Sequence, residues 1–281
     1  MRIVLPALHN TGVRAAGGGC ASVNLDLARS LIDDVRPDLL VFPELSSCGY
    51  PGLVDHGGDD AALSDVAEPL TGPIAASFAE LARKSMCAIV FGFCELDAGR
   101  RFNTLVLADP AGGLIGYRKI HLTEAEQRHF VAGTRAVVAD SRFGRTGLSS
   151  CYDKMFPAVY QRQRERGAQL SVISSAWSSR SADPGGTTDT LAEQSLLFDR
   201  ARAAETGMVV ISTNYEGPKL PGSAERFCGG RRVIDGLGRV VPPTVDGAGA
   251  SVWDLDVGQA AHAVRAFNDG DFFTRDGRRV F

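Results

Sequence analysis

The sequence predicts an α/β fold with a mixed sheet. Short apolar runs recur along the whole chain, stretches with helical apolar spacing alternate with them, and Pro/Gly turns join some runs directly into hairpins. The first run is Ile3 to Leu8, read as a strand. Asn24 can cap a helix with Leu25, Ala28, Leu31, Ile32 and Val35 on its apolar face. Asp38 to Phe42 is a short strand ended by Pro43. Pro73 suits the first turn of a second helix that turns Ile74, Phe78, Leu81 and Ala82 inward. Cys87 to Cys94 and Phe102 to Ala108 are strands. The turn Asp109-Pro110-Ala111-Gly112-Gly113 then returns the chain through Leu114 to Tyr117.

The second half follows the same alternation. A strand ends over Leu148 to Cys151, Pro157 to Arg166 is a short helix, and Leu170 to Ser174 is a strand. Thr188 to Glu205 is a long helix and Met208 to Thr213 a strand. Arg231 to Ile234 and Arg239 to Val241 form a hairpin around Gly236-Leu237-Gly238, and Ala250 to Asp256 is the last strand. No composition break divides the chain. Residues 1–267 read as one domain, with Gly17-Gly18-Gly19 and Gly247-Ala248-Gly249 as loops. Residues 268–281 form a charged, aromatic tail, either disordered or an arm that buries Phe272, Phe273 and Phe281 on a partner subunit.

Composition narrows the class. The 281 residues are 44% hydrophobic and 22% charged, enough for a large core without disulfides or structural metal. Thirty Lys+Arg against 33 Asp+Glu leave a net charge of −3, which argues against a nucleic-acid binder. No apolar run has transmembrane length, and the N-terminal run is too short for a signal-peptide core. Six scattered Cys fit reduced thiols, so a cytoplasmic protein is expected.

Three isolated polar residues stand just past apolar runs. Glu44 follows Leu39-Leu40-Val41-Phe42-Pro43, Lys119 follows Leu114-Ile115-Gly116-Tyr117-Arg118, and Cys151 follows Gly147-Leu148-Ser149-Ser150. Loops at strand ends are where α/β sheets bind ligands. A carboxylate, an ammonium and a thiol converging there would supply base, electrostatic stabiliser and nucleophile for acyl transfer. Singly, each has an ordinary reading: a core thiol or a surface charge. Other chemistries find less support. The five His and six Cys show no zinc spacing, Gly17-Gly18-Gly19 lacks a phosphate-loop ending, and there is no dinucleotide fingerprint or Gly-x-Ser-x-Gly elbow. Arg162, Arg164 and Arg166 read as a solvated helix face.

Phe42-Pro43-Glu44-Leu45 with Gly49-Tyr50, Tyr117-Arg118-Lys119-Ile120-His121-Leu122, and Cys151-Tyr152-Asp153 with Phe156-Pro157 resemble, in order and spacing, the three motifs of the nitrilase superfamily of carbon–nitrogen hydrolases, in its amidase and carbamoylase branch. Secondary matches run from Asn24-Leu25 through Gly92-Phe93-Cys94-Glu95, Asn103-Thr104 and Arg202-Ala203-Ala204-Glu205 to Asp254-Leu255-Asp256. The resemblance implies an α-β-β-α sandwich that pairs into a four-layer homodimer or higher oligomer. It also implies a Cys151 nucleophile, Glu44 as general base, Lys119 and the Tyr152 N–H on the oxyanion, and a thioester intermediate. Glu126, with Glu124 as competitor, matches the family's second glutamate. The substrate implied is a small linear amide or N-carbamoyl compound, with no metal or organic cofactor and no nucleic-acid or membrane partner. An acyltransferase, a nitrilase and a catalytically silent scaffold are the alternatives.

The chain departs from the family where Met155 and Ala158 replace an Arg and a Glu after the nucleophile, so that both members of an ion pair are absent together. Lys154 is a candidate for binding an anionic substrate group, its ordinary readings being solvent or a bond to Asp153. Trp177 and Tyr50 are candidate pocket residues, Trp177 reading equally as a packing residue.

Overall fold

The computed structural model describes residues 1–10, 20–50, 60–111, 113–180, 188–220 and 222–258. The apolar runs become strands with strict two-residue alternation. In β1 (Arg2–Pro6), Ile3 and Leu5 face one side and Val4 the other; β2 (Leu39–Val41) divides Leu39 and Val41 from Leu40 in the same way. Helix α1 (Cys20–Val35) lies between them and α2 (Asp60–Val66) follows. Next come α3 (Pro73–Ser85), the long pair β3 (Ala88–Asp97) and β4 (Arg100–Ala108), and β5 (Leu114–Arg118). The second half runs β6 (Val137–Ser141), β7 (Gly144–Ser150), α4 (Pro157–Glu165), β8 (Leu170–Ser175), α5 (Thr190–Thr206), β9 (Val209–Asn214), β10 (Arg232–Ile234), β11 (Val240–Val241), β12 (Val245–Asp246) and β13 (Ala250–Asp254).

Two sheets result. Seven strands are ordered β12-β13-β1-β2-β3-β4-β5, and six are ordered β11-β10-β9-β8-β7-β6. Each mixes parallel pairs (β1/β2/β3, β7/β8/β9) with antiparallel edges. The sheets pack face to face through Ile3, Leu39, Val90, Leu105, Leu148, Val172, Ile211 and Trp253. Helices α1 and α3 cover the outer face of the first sheet, where Phe78 stacks on Phe91 at 4.1 Å. Helices α4 and α5 cover the second, over Val159, Tyr160, Ile173, Ala203 and Val210. The layering is the expected α-β-β-α sandwich.

Several local readings change. α1 starts at Cys20, so Asn24 is not its cap. Asn24 lies on the buried face, and its Nδ2 donates to Ser46 O at 2.6 Å, which satisfies a polar group at that depth. The edge strands β6 and β12 and helix α2 carry too little apolar periodicity to be anticipated. All six Cys are free. Among the described residues no helix is long and apolar enough to cross a membrane. Gly17-Gly18-Gly19 and the tail at 268–281 lie outside the described residues.

Candidate active site

Glu44 leaves β2 on a turn pressed against β3. Leu45 has φ +49°, and a Cβ on Gly92 would stand 1.9 Å from Leu45 N, so only glycine lets the turn lie on the strand. Ser47 N donates to Gly92 O at 2.9 Å, and Gly92 N donates to Ser46 Oγ at 3.0 Å. Lys119 follows β5; its N donates to Asn103 O on β4, and its O accepts from Gly133 N, both at 2.8 Å. Cys151 opens a single 3-10 turn (Cys151–Met155) just past β7. It has φ +44°, a left-handed backbone that a non-glycine residue keeps only where its surroundings hold it.

The three segments deliver a sealed charge cluster. Lys119, Glu44 and Glu126 have essentially no exposed side-chain surface. Lys119 Nζ donates to Glu44 Oε1 at 2.7 Å and to Glu126 Oε1 and Oε2 at 2.7 and 2.9 Å. Asn103 Nδ2 donates to the same two Oε1 atoms, at 2.8 Å to Glu44 and 2.9 Å to Glu126. Ala176 N donates to Glu44 Oε2 at 3.0 Å, and Thr123 N to Glu126 Oε2 at 2.8 Å. Glu124, the competitor, is 93% exposed and pairs with Arg128. Cys151 is buried and lies within the electrostatic reach of Glu44, Lys119 and Glu126.

The electrostatics divide the two carboxylates. Burial, helped by Glu126, raises the Glu44 carboxyl above its ordinary range against the pull of Lys119 and Asn103. Burial also opposes ionisation of Glu126, but Lys119 and Thr123 prevail and hold that carboxyl low. Burial presses Lys119 toward neutrality, yet Glu126, Glu44 and Cys151 outweigh it and keep the ammonium. Burial and then Glu44 push the Cys151 thiol well up, against Lys119 and the Ala176 N–H. These influences favour the protonated thiol.

Asp153 braces the Cys151 turn. Ser150 N donates to its Oδ2 at 3.1 Å, Tyr117 OH to the same oxygen at 2.7 Å, and His121 N to Oδ1 at 2.9 Å. His121 Nδ1 lies 2.8 Å from Oδ1, and its ring stacks on Phe156 at 3.6 Å. The fully buried Asp153 therefore ties the Lys119 segment to the Cys151 turn. Neither Asp153 nor Asn103 was singled out for a role by sequence. Both sit inside recognised motifs, but the contact of each is made across a strand or between loops.

The candidate pocket residues separate. Tyr152 is half-buried and meets Phe156 edge-on at 5.4 Å, beside an open cleft of about 550 Å³ that His121, Leu122 and Thr123 also line. Lys154 points neither to solvent nor to Asp153. It is buried under α5, 2.8 Å from Asp199 Oδ1 and 3.1 Å from Ser195 Oγ, with Nζ 5.4 Å from the Trp177 ring centre. Trp177 is buried, and its N donates to Asn214 Oδ1 at 2.8 Å. Tyr50 is buried in the core beneath α1 and α3. Among the described residues no group of three or more His, Cys, Asp or Glu is placed to hold a metal ion.

Residues 21–263 match the family profile described as carbon–nitrogen hydrolase. The chain is 32% identical over 231 residues to an (R)-stereoselective amidase from a Pseudomonas species, covering 82% of this chain and 77% of that protein. In fold it resembles a carbon–nitrogen hydrolase from Helicobacter pylori, with a TM-score of 0.77 at 21% identity over 100% of this chain and 95% of that one. It also resembles a mutant amidase from Nesterenkonia sp. AN1 with acrylamide added to its active-site cysteine, at a TM-score of 0.68 and 24% identity over 96% and 98% of the two chains.

Proposed function

The chain belongs to the carbon–nitrogen hydrolases of the nitrilase superfamily, and we propose that it cleaves the C–N bond of a small linear amide or N-carbamoyl compound through a Cys151 thioester. The observation that carries this reading is the sealed Glu44–Lys119–Glu126 cluster, with one ammonium at 2.7 Å from both carboxylates and the buried Cys151 thiol within reach of their charges.

Glu44 takes the thiol proton as the sulfur attacks the carbonyl carbon. The carbonyl oxygen becomes an oxyanion facing the Lys119 ammonium and the Tyr152 N–H, donors fixed before the charge develops; each contributes a few kcal/mol. Glu44 returns its proton to the departing nitrogen, the C–N bond breaks, and ammonia or an amine leaves. Water then attacks the thioester carbon while Glu44 takes its proton. Collapse breaks the C–S bond, releases the acid, and Glu44 reprotonates the sulfur. A base that alternates as acid needs an affinity for protons above that of a free carboxylate, which burial gives Glu44. Glu126 stays ionised and keeps Lys119 charged throughout.

The test is turnover on a panel of primary amides, N-carbamoyl amino acids and nitriles, with product analysis in the presence and absence of added amine. Amide or ureido hydrolysis that is lost in Cys151→Ala is the expected result. Full turnover by that variant, or acyl transfer to amine in place of hydrolysis, overturns the assignment.

A further inference from the structure

We propose that Asn103 is the positioning residue of the acid–base machinery, and that its carboxamide fixes which oxygen of Glu44 carries the transferred proton. The inference rests on the reading of Glu44 as general base and extends it to a single atom.

Asn103 is the residue through which the segments meet. On β4 it stands opposite Cys94 of β3, and its backbone oxygen holds Lys119 N at 2.8 Å. Its side chain has two N–H bonds to give, and two carboxylate oxygens take them, Glu44 Oε1 at 2.8 Å and Glu126 Oε1 at 2.9 Å. Lys119 Nζ donates to the same two atoms. Each Oε1 thus faces one charged and one neutral donor, and a proton placed there would point at hydrogens already present. Glu126 Oε2 is likewise met by two donors, Thr123 N and Lys119 Nζ. Glu44 Oε2 differs: among the described residues it accepts only the Ala176 N–H, at 3.0 Å, and keeps a lone pair.

That lone pair is where the proton goes. The Ala176 N–H that marks Glu44 Oε2 also favours a Cys151 thiolate. The ionisable groups facing Glu44 are Lys119 from the segment after β5, Glu126 from its 3-10 turn, Cys151 from the nucleophile turn and Tyr215 after β9. Of these only Lys119 is a cation, and it sits on the Oε1 side. Were Asn103 absent, Glu44 Oε1 would lose one of its two donors, the carboxylate would be less well held, and both oxygens would compete for the proton.

The experiment follows kcat/KM for amide hydrolysis and the rate of Cys151 alkylation by iodoacetamide against pH, in wild type, Asn103→Ala and the isosteric Asn103→Asp. Loss of a donor to a carboxylate raises its proton affinity, so the acidic limb should move upward by about one pH unit in Asn103→Ala and further in Asn103→Asp. On the acidic limb kcat should fall by up to about tenfold, recovering as pH rises, with KM changed by less than about threefold. The onset of alkylation, which reports the thiol–carboxyl pair as a unit, should move with it. A drop by one factor at every pH, with the alkylation onset fixed, makes Asn103 merely structural and overturns the inference. If Asn103→Ala does not fold, Asn103→Asp is read alone by the same criterion. The alkylation arm needs no amide substrate. A wild type silent on the whole panel with a moving onset therefore condemns the substrate reading, and an active wild type with a fixed onset condemns the role of Asn103.

Discussion

Lys154 and Asp199 meet at 2.8 Å with both side chains out of reach of solvent, and Arg232 NH1 closes on the other carboxylate oxygen at 3.1 Å. Met155, the next residue along the chain from Lys154, is by contrast 40% exposed. The charge of Lys154 is turned inward beneath α5.

That pair makes a stability prediction. Lys154→Met should leave Asp199 with only the partly exposed Arg232 and destabilise the protein by about 3 kcal/mol, the lower end for breaking a buried pair. Lys154→Met combined with Asp199→Leu should recover most of the loss, because no uncompensated carboxylate remains. Urea denaturation of the two variants checks the difference; equal losses would mean that the pair is not coupled.

The raised proton affinity of Glu44 predicts where activity fails in acid. Under the proposed mechanism Glu44 must be ionised to accept the thiol proton. As pH falls through its folded value, which lies above the ordinary Glu value of about 4.3, Glu44 is protonated and kcat/KM declines. Stability runs the opposite way: a carboxyl raised on folding contributes most below its unfolded value and loses that contribution as pH rises through the folded one. At neutral pH, two buried carboxylates share one ammonium. Glu44→Gln should therefore abolish turnover yet raise Tm by about 2–4 °C, the shift expected for about 1 kcal/mol in a chain of this size. A pH series of activity and thermal melts tests both halves.

Asp153 should matter through the two segments it joins. In Asp153→Asn one carboxylate oxygen becomes an NH2 group, which cannot accept from Tyr117 OH and Ser150 N as Oδ2 does, or from His121 as Oδ1 does. The expected outcome is a fall in kcat of about 10- to 100-fold with KM little altered. Tyr117→Phe, which removes one strut only, should show a smaller effect in the same direction. Steady-state kinetics of both variants is the measurement.

Away from Cys151, cysteine reactivity should follow burial. Burial pushes the Cys87 thiol up to about 12, and the influence of Cys94 together with burial raises Cys48 well above the usual range. In folded protein at pH 8, mass spectrometry after iodoacetamide should find Cys48, Cys87 and Cys94 unmodified. In denaturant all six thiols should react.

The legibility of this molecule in its sequence tracks the range of the forces involved. Two-residue alternation and Pro/Gly punctuation are local, so β1, β3, β4 and the β4–β5 hairpin were readable, as was the start of α3 at Pro73. β6 carries Asp140 and Ser141 at a sheet edge, and β12 has two residues, so neither has a pattern to read. Asn24 misled because a cap and a buried helix residue look alike until Ser46 is known to lie beside it. In the site, the positions of Glu44, Lys119 and Cys151 past strand ends were visible. The choice between Glu124 and Glu126 became physical only when one proved exposed and the other enclosed. Lys154 could not be read at all, since its partner lies on α5.

The left-handed φ of Cys151 limits what could ever replace it. Serine has the same unbranched β-carbon and can adopt that backbone, whereas the branch of threonine crowds it in just this region. An evolutionary exchange of sulfur for a hydroxyl in this fold is therefore open through a primary alcohol and closed to a secondary one unless the turn itself is rebuilt.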